Sequence, residues 1–219
     1  MAADGGLVEM LIAHPPMARE LPGFDAERAP DEPAGLFTAW LTGALAAGVP
    51  DAQVVTLSTV DADGLPDARV LVLRDVDVPG AGWVFWAEAD SPKGRQLAAR
   101  PEAAMTVYWP ALGRQVRIRG TVESAPAPRF LTRSPGAAAA SLVGRQSEPL
   151  DSPAEYDAAF EAALARLSAE PEPAAQGHTV YTLRARSVEF WQGDPGRRHV
   201  RLRYTRTGPG RWDRTLLWP

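Results

Sequence analysis

The stretch EFWQGDPGRRHVRLRY, residues 189–204, sets the reading of the chain. Phe190 and Trp191 lead into a Gly/Pro turn, after which basic and apolar residues alternate. Side chains two positions apart share a face of an extended strand. His199, Arg201 and Arg203 therefore fall on one face, with Arg197 just ahead of them, and Val200, Leu202 and Tyr204 on the other. So much positive charge beside a tryptophan needs a reason in a chain whose net charge is −4.

Working outward, strand signals recur. TVYTLRARSVEFW (179–191), HVRLRYTR (199–206) and RWDRTLLW (211–218) read as three closing strands. Further upstream, VVTLSTV (54–60), an Asp-Ala-Asp-Gly turn and ARVLVLRDV (68–76) read as a hairpin. WVFWAE (83–88) is another strand, and AAMTVYW (103–109) pairs with RQVRIRGTVES (114–124) around Pro-Ala-Leu-Gly. Three helical segments interrupt them. Phe37, Trp40, Leu41 and Leu45 stripe GLFTAWLTGALAAG (35–48). SPKGRQLAAR (91–100) has Ser91 as N-cap and Pro92 at the first helical position. Ser152-Pro153-Ala154-Glu155 is a capping box opening a helix striped by Tyr156, Phe160, Leu164 and Leu167. Many hairpins with a few inserted helices imply a mainly β (α+β) antiparallel barrel rather than a parallel sheet. Residues 1–34, rich in Pro, Gly, Ala and acids, read as a flexible arm, and 35–219 as a single domain.

Composition narrows the function. No apolar run approaches the length of a membrane span, and the acidic start MAADGGLVEM is unlike a signal peptide, so a soluble cytoplasmic protein without a membrane partner is expected. There is no cysteine, and the three histidines (His14, His178, His199) are far apart in sequence, so no metal site is expected. An acidic chain argues against general nucleic-acid binding. Charge is nonetheless uneven: residues 1–66 hold ten acids and two arginines, whereas residues 184–214 hold nine arginines and three acids. A basic end of that kind suits a small anion or an acidic neighbouring surface. Of 23 lysines and arginines, the only lysine is Lys93.

Each candidate group has a functional and a structural reading. Lys93 at a helix N-terminus can complete a phosphate site, or be a solvated charge. ARVLVLR, with four central apolar residues, reads as a strand covered on both faces, with Arg69 and Arg74 at its ends. GRQVRIRG places Gln115, Arg117 and Arg119 on one face, where Gln115 can hydrogen-bond a heterocycle and the arginines read as solvated. Arg197, His199 and Arg201 can converge on a dianion beside Trp191, or can protect an exposed strand edge.

Taken together and in order, ARVLVLR, SPKG, LGRQVRIRG, RQSE, EFWQGDPGRRHVRLRY and WDRTLLWP resemble the pyridoxamine/pyridoxine 5′-phosphate oxidase family over residues 35–219. The resemblance implies a split β-barrel that binds FMN at the interface of a homodimer. It implies oxidation of a small phosphorylated aromatic substrate, with molecular oxygen as acceptor and hydrogen peroxide as product. Arg69, Val70, Leu71, Val72, Arg74, Trp86, Ala87, Lys93, Gln115, Gln146, Ser147, Trp191 and Arg201 match positions that contact FMN. Arg74, Arg129, Arg133, Arg197 and His199 match substrate-binding positions, and His199 and Arg197 are the expected catalytic pair.

The chain also departs from the family pattern. Arg74 stands where the pattern has Lys, and Pro92 interrupts a Ser-Arg-Lys run. In RFLTRSPGA (129–137), Arg133 is kept, while Arg129 replaces a tyrosine and Ala137 a serine. The Arg-Leu-His-Asp-Arg run becomes RRHVR, with Arg198 and Val200 substituted. The leading expectation is conversion of pyridoxamine or pyridoxine 5′-phosphate to pyridoxal 5′-phosphate. A related FMN oxidase acting on another aromatic acid, as in the phenazine branch, and a flavin- or vitamin-binding protein without turnover are the alternatives.

Overall fold

The computed structural model of the chain describes residues 6–127, 134–170 and 177–219. Its elements, in chain order, are α1 (Leu7–Ala13), α2 (Pro33–Ala46), β1 (Val54–Val60), β2 (Pro66–Val72), β3 (Asp75–Asp77), β4 (Gly82–Glu88) and α3 (Pro92–Ala99). These are followed by β5 (Glu102–Trp109), β6 (Arg114–Pro126), α4 (Pro135–Val143), α5 (Pro153–Ala169), β7 (His178–Gln192), β8 (Val200–Gly208) and β9 (Arg211–Leu216). The strands hydrogen-bond in the order β2-β1-β5-β6-β7-β4-β3, and β7, β8 and β9 continue as a meander. The expected antiparallel hairpins are present. No helix of the described residues is long and apolar enough to cross a membrane.

The chain divides into two compact units. One comprises Met1–Ala52, Thr106–Arg117 and Ser187–Pro219. In it α2 starts at Glu32, whose carboxylate accepts hydrogen bonds from the Ala34 and Gly35 amides at 2.9 and 2.7 Å, with Pro33 at the first position. Its buried side is Leu36, Phe37, Trp40 and Ala44. Leu45, expected in the stripe, is 53% exposed, because it lies about 100° round the helix from Ala44. Trp40 meets Phe190 edge-on at 5.2 Å, and Phe190 meets Tyr204 at 5.7 Å. Each such buried ring contributes roughly 2–3 kcal/mol by removal from water. Tyr204 donates to the Pro30 carbonyl at 2.7 Å, and burial pushes its phenol up to about 12. That bond fastens the end of the expected arm to β8. Farther back the arm forms α1, which the sequence reading did not anticipate and whose residues are all exposed. Gly113 closes the Pro110–Leu112 turn at φ 58, where its lack of a Cβ also admits the Leu21 side chain.

The other unit comprises Gln53–Met105 and Ile118–Arg186. Here β1 and β2 pair in register from Val54↔Val72 to Val60↔Pro66, closed by Asp61, whose carboxylate accepts from the Asp63 and Leu65 amides. β4 pairs with both β3 and β7, and Phe85 stacks on Tyr181 at 5.2 Å. Gly120 lies against the Arg184 carbonyl so closely that any Cβ would collide with it. One expectation fails in this unit. ARVLVLR is not covered on both faces: no β2 residue is buried and Val70 is 70% exposed, since β2 ends the strand order with β1 as its neighbour. The small-residue run at 136–141 forms most of helix α4. Its start repeats the chemistry of α3 and α5. Ser91, Ser134 and Ser152 each precede a proline and accept from the amides of Gly94, Ala137 and Glu155, respectively.

Candidate active site

The second unit contains a cavity of about 510 Å³, lined by β4, the start of α3, α4, the loop that follows it, and the start of α5. Six residues singled out from sequence line it: Arg74, Trp86, Ala87, Lys93, Gln146 and Ser147. Lys93 is the best defined of them. Ser91 caps α3 and so holds Lys93 in the first turn, where free amides and the helix dipole favour an anion. The side chain is only 8% exposed. Its ammonium donates to Gln146 Oε1 at 2.7 Å and to Ser91 Oγ at 3.2 Å. Both acceptors are neutral, and Lys93 makes no ion pair among the described residues. Burial, then the nearby Arg69 charge, pull its pKa below the ordinary lysine value, partly countered by Glu88.

The Lys93–Gln146 bond ties α3 to the Gly144–Ser147 loop. Arg145 and Ser147 hold φ 57 and 70, a region disfavoured for residues with a Cβ. Arg145 spans the loop by donating to Glu148 at 3.0 Å and Glu155 at 2.8 Å. Also on the cavity wall, the Arg74 guanidinium stands 4.7 Å from the Trp86 ring centre, a cation–π pair. Ala137 also lines the cavity.

Two lining residues were not anticipated as a pair. His178 and Glu88 are direct cross-strand partners of β7 and β4, with Nδ1 to Oε1 at 3.1 Å. Both are largely buried, and His178 meets Trp86 edge-on at 6.2 Å. The residues lie 90 positions apart, so no local pattern links them; only the strand register brings them together.

Arg69, Val70, Leu71 and Val72 lie on β2 and do not line the cavity. Arg69 is fully engaged. It donates to Thr59 Oγ1 at 2.5 Å, to Gln96 Oε1 at 3.1 Å and to the Asp67 carboxylate. Gln96 also donates to Asp67 at 3.0 Å, and that bond, with Arg69, lowers the Asp67 pKa.

Gln115, Trp191, Arg197, His199 and Arg201 belong to the first unit. The β7–β8 register sets Trp191 opposite Arg201, and Trp191 and His199 pack with ring centres 4.8 Å apart. His199 Nδ1 accepts from the Asp194 amide at 3.0 Å, so a neutral imidazole carries its proton on Nε2. Arg197 is exposed, at φ 65. Arg201 is clamped by Glu189 at 2.7 Å and donates to the Trp218 carbonyl at 2.9 Å. Gln115 is half-buried near the start of β6. Arg129 and Arg133 lie outside the described residues.

Residues 41–145 match the family profile described as pyridoxamine 5′-phosphate oxidase, and 178–219 that of the pyridoxine 5′-phosphate oxidase C-terminal dimerisation region. A pyridoxine/pyridoxamine 5′-phosphate oxidase of Thermosynechococcus vestitus is 40% identical over 195 residues, spanning 87% of this chain and 90% of that one. Its counterpart in Burkholderia multivorans is also 40% identical, over 89% and 92% of the two chains. PhzG from Burkholderia lata, solved in complex with tetrahydrophenazine-1-carboxylic acid, superposes with a TM-score of 0.80 at 29% identity, covering 91% of this chain and 98% of that one. An FMN-binding protein of Nostoc punctiforme, related to pyridoxamine 5′-phosphate oxidase, shares the fold at TM-score 0.68 and 18% identity, over 90% and 100%. With two profiles matched in order and 40% identity sustained along most of its length, this split-barrel chain belongs to the pyridoxine/pyridoxamine 5′-phosphate oxidase family of oxidoreductases.

Proposed function

We propose that the protein is a homodimeric FMN-dependent oxidase that converts pyridoxine or pyridoxamine 5′-phosphate to pyridoxal 5′-phosphate, with oxygen as acceptor and hydrogen peroxide as product. The observation that carries this reading is Lys93: a buried cation with no ion pair among the described residues, at a capped helix N-terminus, on the wall of a 510 Å³ cavity. A buried charge without a counter-charge is costly, and a ligand phosphate would supply one. The residues present therefore fit FMN. Lys93 and the first turn of α3 would hold its phosphate, with Gln146 and Ser147 beside it. Bound FMN supplies hydride acceptance and the return of electrons to oxygen.

The chain's own contribution is positioning. Arg74, fixed over Trp86, presents a charged planar face to the cavity. His199 can offer Nε2–H as a hydrogen-bond donor because Asp194 occupies Nδ1. Arg197, exposed beside it in sequence, supplies charge for a substrate anion.

A second reading, oxidation of an aromatic carboxylic acid, is favoured by Arg74 and Ala137 on the cavity wall. A guanidinium fork suits a planar carboxylate, and alanine offers no hydroxyl to a phosphate. PhzG, solved with a carboxylic acid of this kind, is similar in structure. The test is anaerobic addition of pyridoxine or pyridoxamine 5′-phosphate to the FMN-loaded protein. The expected outcome is bleaching of the yellow absorbance, with recovery on admitting air. A flavin that stays yellow with both, but bleaches with a dihydro-aromatic carboxylic acid, would establish the second reading instead.

A further inference from the structure

Two cations meet near the start of α3, and they are satisfied differently. Lys93 has only the neutral oxygens of Gln146 and Ser91. Arg69, on β2, has a carboxylate: it pairs with Asp67, two positions earlier on the same face of the strand. Thr59 and Gln96 close the arrangement. Thr59 is the cross-strand partner of Asp67, and its buried hydroxyl accepts from Arg69 and donates to Gln96 Oε1, each at 2.5 Å. Gln96 accepts from Arg69 at 3.1 Å and donates to Asp67 at 3.0 Å. It lies three residues after Lys93 in α3, so the two share a face of that helix. The network thus holds the Arg69 guanidinium against the helix that carries Lys93. Arg69 is nonetheless not part of the cavity wall, whereas Lys93 is.

Asp67 differs from the other acceptors of Arg69. Thr59, Gln96 and the Leu57 carbonyl are neutral, and Asp67 alone brings a negative charge, on a side chain 46% exposed. A pair so open to water adds little to stability. Its effect on a ligand is larger, because a phosphate needs the same guanidinium. The charges that act on Lys93 are those of Arg69 and Glu88. Asp67 therefore bears on the anion site through Arg69. We infer that Asp67 is a built-in competitor of the ligand phosphate: it retains Arg69 on the β2 side, and so sets how strongly the site prefers a phosphorylated flavin to an unphosphorylated one. The inference rests on the FMN reading above. A phosphate docking at Lys93 draws on Arg69 only to the extent that it displaces Asp67.

The experiment titrates the full-length apoprotein with FMN at neutral pH, followed by flavin fluorescence, with riboflavin as the phosphate-free probe. Asp67→Asn removes the charge and keeps an oxygen that accepts from Arg69 and Gln96. The expected result is FMN bound about threefold to fivefold more tightly, the scale of an exposed ion pair, with riboflavin affinity unchanged. Arg69→Gln alone weakens FMN about tenfold, as for loss of a charged hydrogen bond. On that Arg69→Gln background, Asp67→Asn moves FMN affinity less than about 1.5-fold, because the group through which Asp67 acts is gone. If Asp67 only braces the hairpin, Asp67→Asn leaves FMN affinity unchanged or weakens it, and the inference is overturned. It is overturned as well if riboflavin gains as much as FMN, if Arg69→Gln leaves FMN affinity unchanged, or if the gain is the same with and without Arg69. Should Asp67→Asn fail to fold, Asp67→Ser, which keeps a hydroxyl acceptor, is held to the same outcomes. Absence of FMN binding by the natural protein would instead remove the flavin reading, and this inference with it.

Discussion

Lys93 and the arginines of the β7–β8 hairpin are all cations expected to meet an anion, yet the chain treats them differently. Lys93 is withdrawn from water and bonded to two neutral oxygens. On the hairpin, Arg197, Arg198 and Arg203 are exposed, and Arg201 is held by Glu189. Exposed guanidinium groups cost little and call for no partner. A buried ammonium without a counter-charge is a standing cost, tolerated where a ligand offsets it. The two regions show that burial, more than the density of positive charge, identifies the stronger candidate for an anion site.

The sharpest way to break this comparison is Lys93→Met. FMN affinity is expected to fall on the order of 100-fold, the scale of a lost charged hydrogen bond, while Arg203→Ala changes it less than about twofold. Fluorescence titration of both variants tests this; equal losses would erase the distinction. A second test concerns Arg201, the hairpin cation that does have a partner. Glu189→Gln should cost roughly 1–2 kcal/mol of unfolding free energy in urea, because Arg201 then lacks its carboxylate. An unchanged midpoint would put Arg201 with its exposed neighbours. The smallest effect belongs to Asp67, whose pKa is lowered by the Gln96 hydrogen bond and then by Arg69. A depressed carboxylate adds stability above its unfolded pKa of about 3.9, and that stability is lost as pH falls through the folded value. Gln96→Leu should therefore shift the acid unfolding midpoint only slightly upward in pH, as followed by circular dichroism, since Asp67 is nearly half exposed.

Local chemistry was legible in the sequence wherever it was self-contained. The Ser91-Pro92 and Ser152-Pro153 helix starts need only adjacent residues, and both form as expected. Ser134-Pro135 carries the same signal ahead of an alanine run, so α4 was readable by the rule used for the other two. The hairpin faces also followed from period two, with Leu202 and Tyr204 buried. The burial of β2 was misjudged because apolar content cannot say whether a strand has one neighbour or two. Of the site, six positions on the cavity wall came from matching motifs. Glu88 and His178 escaped because their meeting depends on one register between strands distant in sequence.

The single lysine has a consequence in covalent chemistry. Acylating reagents, carbonyl compounds and lysine-modifying enzymes seek a primary amine, and the guanidinium groups of 22 arginines do not serve as one. All side-chain amine reactivity of the molecule is therefore concentrated at one nitrogen, which lies in the cavity wall rather than on the open surface.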